Sequence, residues 1–150
     1  MVTIRSDDFT RRDKVVLKTA DETVNNNNST QADDALLVAL GANETWILRY
    51  FIKYNSNTTA DFRYNISVHS GATYDALTKS DDDSGPRFYH RSSSDENVAG
   101  KGTDWSFTFD AVVKTSSTAG NVVFNWAQYT ANASDTKVLL GSNIVAHRLA

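Results

Sequence analysis

The stretch TWILRYFIKY, residues 45–54, alternates between two kinds of side chain and decides the fold class. Successive side chains of an extended strand point to opposite faces, so a period of two predicts a β-strand with one buried face. The apolar face carries Trp46, Leu48, Tyr50, Ile52 and Tyr54. The other face carries Arg49 and Lys53. It also carries Ile47 and Phe51, which indicate either partial cover by a loop or contact with another subunit.

The same alternation recurs along the chain and predicts an all-β domain. Further strands are predicted in KVVLKT (14–19), DDALLVAL (33–40), DFRYNISV (61–68), DWSFTFDAVVKT (104–115), VVFNWAQY (122–129) and, as two short strands, KVLLGSNIVAHRLA (137–150). About eight short strands with polar connections are typical of sandwiches and barrels. We therefore expect one antiparallel two-sheet β-sandwich, or jelly-roll-like, domain over residues 15–150, preceded by an N-terminal arm over residues 1–14.

The connections between these strands are of two kinds. NSNTTA (55–60) and STAGN (117–121) are short and polar, as in hairpins. The asparagine run 25–28 predicts a tight turn inside the domain, since Asn tolerates positive φ and can hydrogen-bond its own backbone. Residues 70–103 are predicted to be an irregular excursion that RFYHR (87–91) alone interrupts. Such an excursion in a compact β domain is usually functional or mobile.

Composition excludes several classes of function. The chain has 150 residues and a net charge of −3, so it has the size of one domain and no basic excess to neutralise nucleic-acid phosphates. Cysteine is absent, which excludes disulfides, thiolate metal sites and cysteine nucleophiles. No apolar run approaches the ~20 residues that span a bilayer, and residues 1–14 lack the apolar segment of a secretory signal. We expect no nucleic-acid or membrane partner.

Two groups of residues invite a chemical interpretation, and each has a simpler one. Asp81–Asp83 offer oxygen ligands to calcium, but the spaced ladder of a calcium loop is missing and a solvated turn explains them. His90 lies near serines and acids, but no nucleophile elbow accompanies it. His69 and His147 add no metal-ligand spacing. We predict no catalytic, cofactor-binding or metal-binding residues, and hence a protein that is not an enzyme.

The aromatic residues are predicted to divide between core and surface. Core positions are predicted for the three tryptophans, Trp46, Trp105 and Trp126, because each has apolar neighbours two positions away. Tyr74, Phe88 and Tyr89 lie in the excursion and are the candidates for contact with a partner or a sugar ring. Anchoring of the excursion to the sandwich is the alternative.

Two stretches resemble a pattern in small structural proteins of tailed bacteriophages. TVNNNNSTQADDALLVALGANETW (23–46) combines an Asn-rich lead-in, a Ser-Thr step, the acidic pair Asp33-Asp34 and the string Ala42–Trp46, which opens an aromatic strand. WAQYTANASDTKVLLGSNIVAHRLA (126–150) resembles the family's Trp-Ala-Gln strand, its Asn-Ala-x-Asp-Thr turn and its closing strand. The resemblance covers most of residues 23–150. It departs in the middle segment, where His69 stands at the position of a typical proline.

The resemblance implies that the chain is a component of a virion, and it points to no enzymatic reaction. It implies a capsid decoration (cement) protein that binds the major capsid protein or other virion proteins, made in the host cytoplasm and carried on the capsid surface or tail. A head-fibre or tail-fibre module that binds a receptor or glycan is the alternative. We further expect a homotrimer. In this hypothesis the arm docks on a neighbour through Val2, Ile4 and Phe9, with a frayed terminus as the alternative.

Overall fold

A computed structural model describes the backbone of residues 13–82, 85–91 and 95–150, and the side chains of residues 13–77 and 95–150. The described chain forms β1 (Asp13–Leu17), β2 (Glu22–Val24), β3 (Gln31–Leu40), β4 (Thr45–Asn55), β5 (Phe62–Val68), β6 (Thr73–Asp82), β7 (Gly85–Arg91), β8 (Glu96–Val98), β9 (Asp104–Lys114), β10 (Gly120–Gln128), β11 (Thr136–Val138) and β12 (Asn143–Arg148). Among these residues, no helical segment has the length and apolar character of a membrane span. The all-β prediction is confirmed.

The strands form two antiparallel sheets that enclose one core. The larger sheet has eight strands in the order β1-β12-β4-β9-β6-β7, with β11 beside β4 and β2 beside β11. The smaller sheet has four strands in the order β3-β10-β5-β8. Every described pairing is antiparallel. The prediction of a β-sandwich is therefore confirmed.

The short connections cross between the sheets instead of forming hairpins. Residues 55–60 join β4 of the larger sheet to β5 of the smaller one, and residues 117–121 join β9 to β10 in the same way. The hairpin interpretation was wrong because β12 and β9 already occupy both edges of β4. Ser56 fixes the first crossing, since its buried hydroxyl donates to the Asp61 carbonyl at 2.8 Å and contacts the Thr136 hydroxyl at 2.9 Å.

The segment 70–103 is more regular than its composition predicts. It contains β6, β7 and β8, and β6 pairs with β9 from Thr73 to Lys79, so the expectation of an irregular excursion was wrong. Its Thr, Ser and Asp residues are typical of turns, yet they lie in an alternating strand in which Ala76 faces the core and Leu77 is exposed. Residues 13 and 14, assigned above to the arm, belong to β1 and pair with β12.

The core between the sheets is rich in aromatic rings: Trp46, Tyr50, Tyr54, Phe62, Tyr64, Phe107, Phe109, Phe124 and Trp126. The predicted core positions of Trp46 and Trp126 are confirmed. The prediction for Trp105 was wrong: its side chain is 48% exposed, because burial along β9 begins only at Phe107. Alternation fixes the direction of a side chain relative to its neighbours, but not the point at which the opposite sheet begins to cover the strand.

The asparagine run forms a turn inside the domain, as predicted. Asn26 has a φ of 48°, in the left-handed region that Asn tolerates better than most residues. Its backbone N–H donates to the Asn132 carbonyl at 2.8 Å, which attaches the run to the turn after β10. The run is therefore part of the fold and not a linker.

Candidate functional site

A buried cation lies where β1 ends. Lys18 is almost completely buried, and its Nζ donates to Glu22 Oε2 at 2.9 Å, to Asp33 Oδ1 at 2.9 Å and to Asp34 Oδ1 at 2.6 Å. Burial opposes the charge, but the hydrogen bonds to these carboxylates outweigh it and raise the pKa of Lys18 above its ordinary value. The hydrogen bond from Lys18 in turn lowers the pKa of Asp34. We call these four residues the Lys18 cluster.

The Lys18 cluster joins the two sheets. Asp33, at the start of β3, also accepts from Trp126 Nε1 at 3.1 Å and from the backbone N–H groups of Ala35 and Leu36 at 3.0 and 2.9 Å. The three carboxylates of the Lys18 cluster are close enough together to hold a metal ion. The ammonium group of Lys18 bonds to each of them and neutralises part of their charge. The Lys18 cluster therefore stabilises the fold by joining the two sheets through ion pairs within the chain.

A second group of stabilising polar contacts lies at the corner where β4 begins. Glu44 Oε2 accepts from Trp46 Nε1 at 2.8 Å and from the Gly41 N–H at 2.7 Å, and Oε1 pairs with Arg148 at 2.9 Å. Burial alone would raise the pKa of Glu44, but these contacts reverse that effect and hold it below the ordinary value. Backbone bonds between Thr45 and the last two residues complete the corner.

The two stretches that carry the phage resemblance thus contact each other at several points. Glu44 of the first stretch bonds to Arg148 of the second, and Asp33 bonds to Trp126. The asparagine run contacts the end of β10 in the same way, since the Asn27 N–H donates to Gln128 Oε1 at 3.2 Å. These motif residues hold the fold together.

An apolar surface that no other described residue covers lies on the outer side of the larger sheet. The outer patch, as we call it, consists of Val15 and Leu17 of β1, Val145 of β12, Ile47 of β4 and Val112 of β9. Val15 pairs with Val145, and Ile47 pairs with Val112, so their side chains are cross-strand neighbours. Val15 is 69% exposed. The loop cover that one interpretation predicted for this face is not found among the described residues.

An ion pair and a histidine–carboxylate contact accompany the outer patch. Arg49 Nε donates to Asp110 Oδ1 at 3.0 Å, and His147 Nδ1 contacts an Asp13 carboxylate oxygen. A depression of about 270 Å³ lies between these strands and is lined by Ile47, Arg49, Val145 and His147. The patch therefore combines exposed apolar side chains with charges that already have partners within the chain.

A second depression, the Trp105 groove, adjoins this face. It has a volume of about 370 Å³ and is lined by Phe51, Lys53, Asp104, Trp105 and Ser106. The groove lies at the end of the β4–β9 ladder, where Lys53 pairs with Ser106 and Tyr54 pairs with Trp105. Sequence reasoning missed it because Trp105 has the spacing of a core residue.

Few of the predicted contact residues fall in the described part of the chain. Val2, Ile4 and Phe9 lie outside it, as do the side chains of Phe88 and Tyr89 in β7. The side chains of Asp81, Asp82 and His90, and all of Asp83, lie outside it too. Tyr74 is half-buried and packs against the core. Burial, followed by the charges of Asp95 and Glu96, raises the pKa of Tyr74.

Comparison with known proteins adds likenesses of architecture. No family model matches the chain, and no curated protein matches it. Among solved structures it is similar to the tripod from the baseplate of bacteriophage Tuc2009 (7% identity, TM-score 0.44, 98% of this chain and 69% of that chain). It is also similar to the CBM22-1–GH10 modules of a Clostridium thermocellum xylanase complexed with xylohexaose (10%, 0.40, 91% and 28%) and to Eiger TNF from S. frugiperda (14%, 0.40, 93% and 94%). None of these TM-scores carries a functional argument.

Proposed function

We propose that this chain is a non-enzymatic virion structural protein of a tailed bacteriophage, a capsid decoration (cement) protein that binds the capsid through its outer patch. The observation that carries the proposal is the apolar, uncovered outer side of the larger sheet. The sequence resemblance supplies the phage context. Residues that carry the resemblance, such as Glu44, Asp33 and Trp126, stabilise the fold through contacts within the chain. This leaves the outer side of the larger sheet free to contact a partner.

The outer patch has the composition of a contact surface. Burial of apolar area contributes about 25 cal/mol per Å², and a stable interface buries about 800 Å² on each partner. Val15, Leu17 and Val145 are exposed and adjacent, so one flat partner surface can cover them together. Arg49 and Asp110 neutralise each other, which lowers the cost of removing this face from water.

The strand order supports a jelly-roll form of the sandwich. The four-strand block β1-β12-β4-β9 faces β3-β10-β5-β8, and the chain passes from one block to the other after β3, β4, β8 and β9. Such crossings are typical of jelly rolls, which are common in viral capsid proteins. A homotrimer completes the proposal, and a mass of the isolated chain in solution other than three times that of one chain contradicts it.

Binding to capsids that lack the protein tests the proposed contact. The double variant Val15→Lys/Val145→Lys places two charges in the outer patch and is expected to weaken co-sedimentation with such particles at least 10-fold. The matched control is Leu37→Lys, an equally apolar exposed residue of the smaller sheet, which is expected to bind as the wild type does. Wild-type protein should also raise the temperature at which the particles break open.

The outcomes separate the two parts of the proposal. Equal binding by the wild type and the double variant contradicts the outer patch as the contact. A wild-type protein that neither binds particles nor stabilises them contradicts the decoration function. A variant that lacks residues 1–12 tests the arm, and it is expected to lose particle binding while the β-sandwich stays folded.

A further inference from the structure

We propose that residues 2–5 of one copy of this chain pair, as an antiparallel strand, with the free edge of β1 in a neighbouring copy. The pairing joins the larger sheets of adjacent copies through backbone hydrogen bonds. The proposal rests on the homotrimer proposed above and not on the capsid contact, because the outer patch stays exposed beside the added strand.

One edge of β1 has no neighbouring strand among the described residues. β1 pairs with β12 along its other edge, in an unbroken register from Asp13 to Leu17. The Lys18 N–H donates to the Ser142 carbonyl at 2.8 Å, so the backbone of Lys18 faces the β12 side. Backbone groups alternate in direction along a strand. Those of Val15 and Leu17 therefore point away from β12, where no described strand lies to bond to them.

The free edge of β1 is also apolar and regular. Val15 and Leu17 are 69% and 58% exposed. The strand, DKVVL, has no proline, and its pairing with β12 has no bulge. An exposed edge of this kind is a template for pairing with another chain.

The edge of the smaller sheet at β3 is treated differently. Lys14 Nζ donates to the Ala39 carbonyl, and Glu22 Oε2 accepts from the Asp34 N–H at 3.2 Å. Side chains of β1 and β2 thus occupy backbone groups of β3. Within the described chain, no comparable contact reaches the free edge of β1, which is left open to a partner.

The segment that precedes β1 has the pattern of a strand. Residues 2–5 lie outside the described part of the chain, and in their sequence Val2 and Ile4 alternate with Thr3 and Arg5. This period of two gives one apolar and one polar side. Val, Ile and Thr are β-branched and favour strands. Such a segment can add to an open sheet edge through its backbone.

One antiparallel register matches both the polarity and the charge of β1. With Thr3 opposite Val15, Arg5 stands opposite Asp13, so opposite charges meet across the two strands. The two apolar residues of the segment then face the inner side of the sheet, where Val16 packs against the core. A slip of one residue would turn them to the outer side and separate the two charges.

The connection to β1 favours a neighbouring copy over the same one. Hairpin loops usually have about two to five residues, with glycine or asparagine at the positions of positive φ. Residues 6–12, SDDFTRR, form a longer connection and contain neither. Extended, they span up to about 24 Å, which is enough to reach an adjacent subunit. When each copy gives one segment and receives one, the contact is heterologous, and closing the ring with three copies gives the homotrimer.

A disulfide tests the pairing directly, because the chain has no native cysteine. The full-length variant Thr3→Cys/Val15→Cys is oxidised with glutathione disulfide and separated under non-reducing, denaturing conditions. Covalent dimers and trimers are expected, with residues 3 and 15 linked in mass spectra of the digested product, since opposite residues of paired strands lie within disulfide distance. The matched control, Thr3→Cys/Leu37→Cys, places the second thiol on an exposed apolar residue of the smaller sheet and should give at least 10-fold less linked product.

Hydrogen exchange tests the backbone bonds without introduced thiols. The Val15 N–H of the wild type should exchange at least 10-fold more slowly than that of Thr3→Pro, which lacks the N–H that donates to the Val15 carbonyl. Thr10→Pro makes the same substitution in the connection and should exchange as the wild type does. Equally fast exchange in all three proteins overturns the proposal.

The remaining outcomes separate the pairing from the proposed function. A link between residues 3 and 15 found only within single chains shows a hairpin in the same copy and overturns the proposal, as does protection of the Val15 N–H that arises only on capsid particles. A homotrimer without this link also overturns the pairing, while the homotrimer stands. Linked chains that fail to bind particles support the pairing and contradict the decoration function.

Discussion

The Lys18 cluster and the Arg49–Asp110 pair contain the same kinds of charged group in opposite surroundings. Lys18 and Asp33 are buried and joined to further partners, whereas the side chains of Arg49 and Asp110 are 70% and 43% exposed and meet at one contact. A buried charge that loses its partner stays in a medium that cannot solvate it, whereas an exposed one is taken up by water. The charges of the Lys18 cluster therefore serve stability, whereas the Arg49–Asp110 pair is free to take part in a contact with another molecule.

Replacing Lys18 is expected to have the largest effect on stability. Lys18→Met keeps most of the volume but leaves buried Asp33 without its cation, so it should lower the free energy of unfolding by about 3–5 kcal/mol. The matched control, Arg49→Met, breaks the exposed pair and should cost below about 1 kcal/mol. Urea unfolding at neutral pH measures both changes. A similar loss in the two variants would refute the distinction drawn between these charges.

Two of the three tryptophans, the buried Trp126 and the exposed Trp105, extend the same comparison. Trp126→Phe removes the N–H that donates to Asp33 and shrinks a buried ring, so a loss of about 1–3 kcal/mol is expected. Trp105→Phe changes a side chain that is largely exposed and should change stability by less than about 0.5 kcal/mol. Thermal and urea unfolding of the two variants side by side would decide this. A larger loss for Trp105→Phe would show that its exposure is misjudged.

The smallest effect is expected for the dependence of the free energy of unfolding on pH, which changes gradually. The folded-state pKa values of Glu44 and Asp34 lie below the ordinary values of 4.5 and 3.8. Each carboxylate therefore contributes stability that is present above its ordinary pKa and lost as the pH falls through its lowered value. The free energy of unfolding should decline as the pH drops below about 4.5.

Glu44→Gln isolates one part of that decline. The variant should lose about 1 kcal/mol at pH 7, since it keeps the shape of the corner but lacks the charge that Trp46 and Arg148 contact. Its stability should then fall less steeply with acid than that of the wild type. Asp110→Asn is the control, because it makes the same kind of change at an exposed ion pair. Parallel slopes for Glu44→Gln and the wild type would contradict the role given to Glu44.

Much of the fold follows from alternation alone. The inward residues of β4, β5 and β10 are predictable because their apolar positions recur every second residue over a long strand. The assignment of consecutive strands to opposite sheets is not, because a short polar connection such as residues 55–60 is compatible with a hairpin or a crossing. The choice depends on which strand edges are already occupied, and this is a property of the whole topology.

The candidate surfaces were less predictable than the fold. The position of Ile47 and Phe51 on the outer face was predictable, because two apolar residues on a polar face of a long strand break a clear pattern. The positions of Val15 and Val145 were not, since β1 and β12 are too short for the buried face to be told from the exposed one. The burial of Lys18 was equally hidden, because it requires carboxylates from two other segments of the chain to meet at one point.

The crossing of consecutive strands between sheets also governs how fast the chain can fold. Within the described residues, β6 and β7 are the only hydrogen-bonded strands that follow each other in the chain. Every other pairing closes a loop over at least one intervening strand, and that entropy must be lost before the contact gains anything. Folding of such topologies takes on the order of milliseconds to seconds.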